Sequence, residues 1–175
     1  SNRDKLIRLV TKYPEMKEFL VTLQGSDKMR KLLKSLVSLC SEGRTKHILV
    51  GKDCYNSNSY YLLFLAIIMS KGYVHVTNVN LLDLLDCLVD EESPSLSSVK
   101  DDLVIIKDSR AYMKHKQKPN LIMQVIEQND NVIYLYKGSY ESFRGEHHDL
   151  IEYANETGID IHNLKDKPKE SAEII

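Results

Sequence analysis

Apolar residues recur along this chain with two periods, and the change between them marks its organisation. Leu6, Leu9, Val10, Met16, Leu20 and Leu23 fall at roughly helical spacing and predict a helix over 3–24. Leu32, Leu33, Leu36, Val37 and Cys40 form a second stripe over 27–41, with Ser26 or Asp27 as its cap and Gly43 as its end. Strands and helices then alternate. KHILV (46–50) reads as a buried strand and 57–70 as a helix ended by Gly72. YVHVT (73–77) is a strand of period two, NLLDLLDCLV (80–89) a helix, and LVIIK (103–107) a fully apolar strand after a polar loop. A helix over 120–129, a strand NVIYLY (131–136), a helix over 147–158 stopped by Gly158 and a short strand over 159–164 complete the series.

Apolar strands that alternate with helices imply an α/β fold, a mainly parallel sheet with helices on both faces, preceded by N-terminal helices. The expected division is 1–42 for those helices, 43–164 for the α/β core and 165–175 for a frayed tail. In such sheets ligands sit beyond the carboxyl ends of the strands. The segments 51–57, 77–80, 107–118 and 137–146 should therefore share one edge.

Composition narrows the function little. The 175 residues suit one domain with a real core. A net charge of −1, from 24 basic and 25 acidic side chains, gives no global field toward nucleic acid or membrane, so such binding needs a local patch. Cys40, Cys54 and Cys87 form no zinc-ligand pair and read as buried thiols in a reducing compartment. The longest apolar run (60–69) is about half of what a bilayer requires. The opening segment lacks the apolar core of a signal peptide. A cytoplasmic location without membrane contact is expected.

HILVGKDCYNSNSYYLLFLAII (47–68) has the layout of a phosphate-binding loop: strand, glycine, polar turn, helix. In the form GxxxxGK[ST] the glycines let amides wrap phosphate, the lysine reaches the β- and γ-phosphates, and the hydroxyl holds Mg²⁺. Read from Gly51, Asn56 stands at the second glycine, Ser57 at the lysine and Asn58 at the hydroxyl. Asparagine tolerates left-handed backbone angles, so the shape can survive, but the fixed cation is lost. Lys52 lies early in the loop and would need an unusual path to replace it. A plain βα turn with no ligand stays open beside this reading. VKDDLVIIKDS (99–109) has the form of a second nucleotide-binding strand, with Lys107 at the Mg²⁺-ligand position and Asp108 as the neighbouring acid. Lysine there repels Mg²⁺ or partly supplies its charge.

From about 28 to 139, the order and spacing of these segments resemble the ATPase core of bacterial replicative-helicase loaders and the related transposition helper ATPases, members of the AAA+ class. The resemblance implies a P-loop NTPase-like core, a role in DNA replication or a related DNA transaction, and a protein partner such as a replication protein or helicase. It also puts Ser139 where that family has its phosphate-sensing polar residue, and Arg144 where a trans-acting arginine lies. Both signature motifs depart from the family pattern. Hydrolysis is not expected, and ATP is not expected as a cofactor.

KDSRAYMKHKQKP (107–119) concentrates Lys107, Arg110, Lys114, Lys116 and Lys118 around Tyr112 and His115. These cations suit a phosphodiester backbone, with Tyr112 stacking on a base of single-stranded DNA, and a solvated loop is the equal alternative. Lys28, Arg30, Lys31 and Lys34 read as an ordinary outer helix face. His147 and His148, beside Glu146 and Asp149, are about 100° apart on a helix and are not expected to share a metal. No catalytic residue or metal site is expected. The leading expectation is a non-hydrolysing AAA+-like binding module that contacts protein and DNA. A divergent NTPase using Lys52 and Asp108, and a purely structural interaction domain, are the alternatives.

Overall fold

The computed structural model describes residues 2–72, 75–81, 103–108 and 118–165. The helix expected over 80–89 beyond Leu81, the basic residues Arg110, Lys114 and Lys116 with Tyr112, and the tail from 166 lie outside the described residues.

The stripe that predicted one helix over 3–24 forms two, α1 (Asn2–Lys12) and α2 (Met16–Gln24). Pro14 divides them, because proline donates no amide and its ring disfavours helix at the preceding residue. α3 (Asp27–Ser41) begins as expected, its Ser26 side chain accepting from the Met29 amide at 3.2 Å. After α3 come β1 (Lys46–Val50), a single 3₁₀ turn (Cys54–Asn56), α4 (Asn58–Lys71), β2 (Val76–Asn80) and β3 (Leu103–Asp108). α5 (Lys118–Gln128), β4 (Asn131–Tyr136), α6 (Tyr140–Glu146), α7 (His148–Thr157) and β5 (Asp160–Asn163) follow.

The five strands form one all-parallel sheet in the order β2-β3-β4-β1-β5. Inner strands of such a sheet are covered on both faces, which is why β1, β3 and β4 read as continuous apolar runs. Period two then sorts their side chains. Leu49, Ile105, Ile133 and Leu135 face a core shared with α1 to α4, where Leu36, Leu62 and Leu63 are fully buried. Ile48, Val50, Val104, Ile106, Val132 and Tyr134 face the other core, shared with α5 to α7. The N-terminal helices thus share one continuous core with the sheet, through Leu9, Met16, Phe19 and Met29.

Two expected boundaries change. The second strand lies at 76–80, not 73–77, in register with β3 from Val76↔Leu103 to Asn80↔Lys107. As an edge strand it tolerates polar Asn78 and Asn80, so part of the segment expected as a ligand-edge loop is strand. The segment 137–146, expected as a loop, contains α6, whose cap Ser139 accepts from the Ser142 amide at 3.1 Å. Among the described residues, no helix is long and apolar enough to cross a membrane.

Candidate functional site at the carboxyl edge of the sheet

The turn after β1 is closed on itself. The amides of Cys54, Asn56 and Ser57 donate to the carbonyls of Gly51, Asp53 and Cys54 at 3.3, 3.2 and 3.3 Å. Ser57 caps α4, accepting from the Tyr60 amide at 3.1 Å and donating its hydroxyl to the Cys54 carbonyl at 2.9 Å. Asn56 ends a 3₁₀ turn rather than taking the left-handed backbone expected of it, and among the described glycines a positive φ occurs at Gly43, Gly72 and Gly158 but not at Gly51. Gly51 is glycine for a different reason. A Cβ there would lie 2.9 Å from the Leu164 Cβ and 3.1 Å from the Leu164 carbonyl oxygen, because the chain leaving β5 crosses over it. Lys52 and Asn56 are exposed, and Asn58 is half-buried in the first turn of α4. Burial pushes the Cys54 thiol up to about 12, and its sulfur donates to the Tyr136 carbonyl at 3.3 Å.

At the end of β3, period two separates two residues that the sequence sets side by side. Asp108 points with Tyr134 and Tyr136 into the α5–α7 side, and Lys107 projects on the α4 side. Asp108 meets a buried polar cluster. The Lys118 ammonium, at the start of α5, lies 2.9 Å from Asp108 Oδ1 and also donates to Glu146 Oε1. The Tyr134 hydroxyl donates to Asp108 Oδ2, and His147 Nε2 lies 3.3 Å from the same oxygen. The Tyr136 hydroxyl donates to Glu146 Oε2 at 2.8 Å. Lys118 and Asp108 are each 1% exposed and Glu146 7%.

The electrostatics follow from that geometry. Burial pushes the Asp108 carboxyl up, but the His147 hydrogen bond, the Lys118 charge and the Tyr134 hydroxyl outweigh it and hold the group below the usual carboxylate range. Burial, with the Asp108 charge beside it, raises the Tyr134 hydroxyl well above its ordinary value, so it stays a donor. Asp108, Glu146 and His147 bring ligand atoms within 4.8 Å of one another, close enough to hold a metal ion, and the Lys118 ammonium bonds to both carboxylates at that spot. The expected role of Lys118 as a phosphodiester contact is corrected: its charge is buried and spent on two carboxylates. His147 Nδ1 is buried and has no hydrogen-bond partner among the described residues.

Lys107 belongs to the opposite side. Its ammonium lies 5.4 Å from the centre of the Tyr55 ring, and the Lys137 ammonium lies 5.6 Å from the same centre. Below them opens a cavity of about 290 Å³ between the α1–α2 corner, α4 and the β2–β3 half of the sheet, lined by Tyr13, Tyr55, Tyr61, Phe64, Asn78 and Lys107 among others. The Tyr55 hydroxyl is buried with no hydrogen-bond partner among the described residues, and burial raises it above its ordinary value.

A second buried polar pair joins β1 to β5, away from this edge. His47 Nε2 donates to the Arg44 carbonyl at 2.8 Å, which leaves Nδ1 to accept from His162 Nε2 at 3.1 Å. Burial holds both imidazoles down, His162 to about 4, with His47 adding to the effect on His162.

No family model and no curated protein matches the chain. Among solved structures, Saccharomyces cerevisiae RIF2 is similar, with a TM-score of 0.38 and 15% sequence identity over 88% of this chain. The chain spans 64% of the length of that structure. Likeness at this level carries no argument about fold or function.

The residues singled out in the sequence therefore separate into three places. Gly51, Lys52, Asn56, Ser57 and Asn58 lie in the turn after β1, Lys107 lines the aromatic cavity, and Asp108 joins Lys118 in the buried cluster. Arg144 is exposed on α6 and Ser139 is a helix cap. In the sequence, Tyr134 and Tyr136 read as core tyrosines without a function, Tyr55 carries no signal, and His147 with Glu146 enters only beside His148 and Asp149, where a helix start and not a metal is expected. One signal was available for the tyrosines. A tyrosine in a strand covered on both faces needs a partner for its hydroxyl, and Tyr134 and Tyr136 in NVIYLY stand two apart, on one face.

Proposed function

We propose that the chain is a non-hydrolysing, AAA+-like binding module of the cytoplasm that acts in DNA replication or a related DNA transaction through protein and DNA contacts. The observation that carries the non-hydrolysing part is the Lys118 ammonium on Asp108 and Glu146. The resemblance puts Lys107 at the Mg²⁺-ligand position and Asp108 beside it as the acid, and here a built-in cation already neutralises that acid on the other face of the sheet. A divalent cation would have to displace the Lys118 ammonium at the cost of a buried ion pair. The turn after β1 adds support, because three of its amides are committed to its own carbonyls.

The sheet order is in keeping with the loader-like core. β3, β4 and β1, the strands to which the resemblance assigns the acid, the sensing residue and the phosphate loop, are contiguous. Lys107 and Lys137 supply local positive charge at the ligand edge, and Lys107 opens the basic run that continues with Arg110, Lys114 and Lys116 in the sequence. Leu6, Ile7 and Val21, exposed on α1 and α2, suit a protein partner.

Calorimetric titration with ATP and Mg²⁺ should give no saturable heat, and labelled single-stranded DNA should bind with an affinity that Lys114→Glu plus Lys116→Glu weakens. Saturable nucleotide turnover abolished by Lys52→Ala would overturn the reading in favour of a divergent NTPase. Failure to bind DNA at low salt would leave a purely structural interaction domain.

A further inference from the structure

We propose that Lys118 and Asp108 condense into an isopeptide bond within the folded chain, with Glu146 as the proton relay. The reaction goes beyond the DNA-contact reading and does not depend on it.

Three observations set this cluster apart from an ordinary ion pair. Replacing a buried ion pair by apolar side chains is often neutral or stabilising, so stability alone is a weak reason to bury Lys118 and Asp108 at 1% exposure each. Lys118 also opens α5, the end of a helix at which the dipole disfavours a cation. Lastly, the two oxygens of the Asp108 carboxyl have different partners. Oδ1 lies 2.9 Å from the Lys118 ammonium, and that ammonium also donates to Glu146 Oε1. Oδ2 accepts from the Tyr134 hydroxyl, with His147 Nε2 at 3.3 Å. His147 Nδ1 is buried with no hydrogen-bond partner among the described residues, so the ring proton belongs on Nε2, a second donor to Oδ2.

These positions divide the work of an amide condensation. Glu146 carries one proton from the ammonium to Asp108 Oδ1, and a buried site favours the resulting neutral amine and carboxyl over isolated charges. The nitrogen lone pair then attacks Cγ. Negative charge develops on Oδ2, where the Tyr134 and His147 donors meet it. Glu146 takes a second proton from the nitrogen and delivers it to Oδ1. The Cγ–Oδ1 bond breaks, its electron pair leaves with the oxygen as water, and Oδ2 returns to a carbonyl. One N–C bond is gained, one C–O bond is lost, and Glu146 ends as it began. Contact between amine and carboxyl in the folded chain supplies the proximity that such a slow reaction needs. The product joins residues 108 and 118, so the basic segment with Arg110, Lys114 and Lys116 becomes a covalently closed ring. Chain of full mass holds the ion pair alone, and the stability of the pair is measured on it.

The test is the intact mass of the full chain, followed from refolding through several days of incubation. The folded parent should become lighter by one water. Trypsin cuts after Lys107, Arg110, Lys114 and Lys116, yet the peptide carrying Asp108 should stay joined to the one carrying Lys118. Lys118→Arg, folded by circular dichroism, should keep its full mass, and Asp108→Asn should reach the parent's product by losing ammonia. Glu146→Gln should slow the reaction at least about a hundredfold. Tyr134→Phe, which removes a donor to the developing charge, should also slow it about a hundredfold. Full mass in the folded parent throughout would overturn the proposal. A water loss that persists in Lys118→Arg would overturn it too, because it marks a cyclic imide at Asp108 and not a cross-link. An unchanged rate in Glu146→Gln would overturn the relay.

Discussion

Lys118→Met is the perturbation that tests the central cluster most directly. Methionine keeps most of the apolar stem of the side chain and removes the ammonium, its charge and its hydrogen-bond donors together. What remains is Asp108 and Glu146, 1% and 7% exposed, with no cation between them. At an effective dielectric constant of about 20, an ammonium and a carboxylate 2.9 Å apart attract by about 6 kcal/mol before desolvation is counted. Breaking such a pair by removing one partner typically costs about 3–5 kcal/mol, because the surviving charge stays buried. We expect a loss in that range at pH 7. With a urea m-value near 2 kcal/mol/M, the midpoint should fall by about 2 M.

The pH dependence gives the check that a mere packing defect would not reproduce. In the parent, the Asp108 carboxyl is held low, so its contribution is complete above the ordinary carboxylate range and is lost as pH falls through the lowered folded value. Without Lys118 the same burial pushes the carboxyl up, and the folded variant takes up a proton that the unfolded chain does not. The deficit should therefore shrink as pH is lowered from 7 to 5. Adding Asp108→Asn to Lys118→Met should recover part of the loss, with a coupling of about 0.5–3 kcal/mol. A cost under about 1 kcal/mol, or a deficit unaffected by pH and by Asp108→Asn, would refute the reasoning.

Three further outcomes are expected. Gly51→Ala places a methyl 2.9 Å from the Leu164 Cβ and should cost about 1–3 kcal/mol in thermal melts, with only partial rescue by Leu164→Ala because the Leu164 carbonyl is also close. Ser57→Ala removes the cap of α4 and should cost about 1 kcal/mol by urea unfolding while leaving single-strand affinity unchanged. The imidazoles of His47 and His162 are held below their ordinary value, so the stability they contribute is complete above about pH 6.5 and falls away toward about pH 4, the depressed value of His162. His162→Gln should flatten that part of the stability curve measured by thermal denaturation across the same window.

How much of this was legible in the sequence depended on whether a signal was local. KHILV and NVIYLY occupy 46–50 and 131–136 as expected, because inner parallel strands must be apolar on both faces. The edge strand VTNVN was placed three residues early, since an edge strand lined with asparagines looks like a turn. Pro14 was the overlooked sign that one helical stripe was two helices. For the site, Asp108 was marked by its place after an apolar strand. Its partners Tyr134 and His147 stand 26 and 39 residues further on, and nothing local to Asp108 announces them. Lys118 was grouped with its basic neighbours by composition, whereas the start of α5 turns it inward.

The Lys107–Asp108 dipeptide carries the lesson furthest. Read along the chain, the two residues form one motif at the end of a nucleotide-binding strand, a lysine where a metal ligand is expected and an acid next to it. Read through the pleat, they cannot serve one site, because consecutive side chains of a strand leave the sheet on opposite faces. The acid turns toward α5 and finds its cation in Lys118, a residue ten positions away by number and on another element. The lysine turns toward α4 and, with Lys137, gives charge to an aromatic cavity that has no part in the acid cluster. The two neighbours are thus divided by the sheet itself: the acid is held in the core by Lys118, and the lysine is left at the edge beside Tyr55.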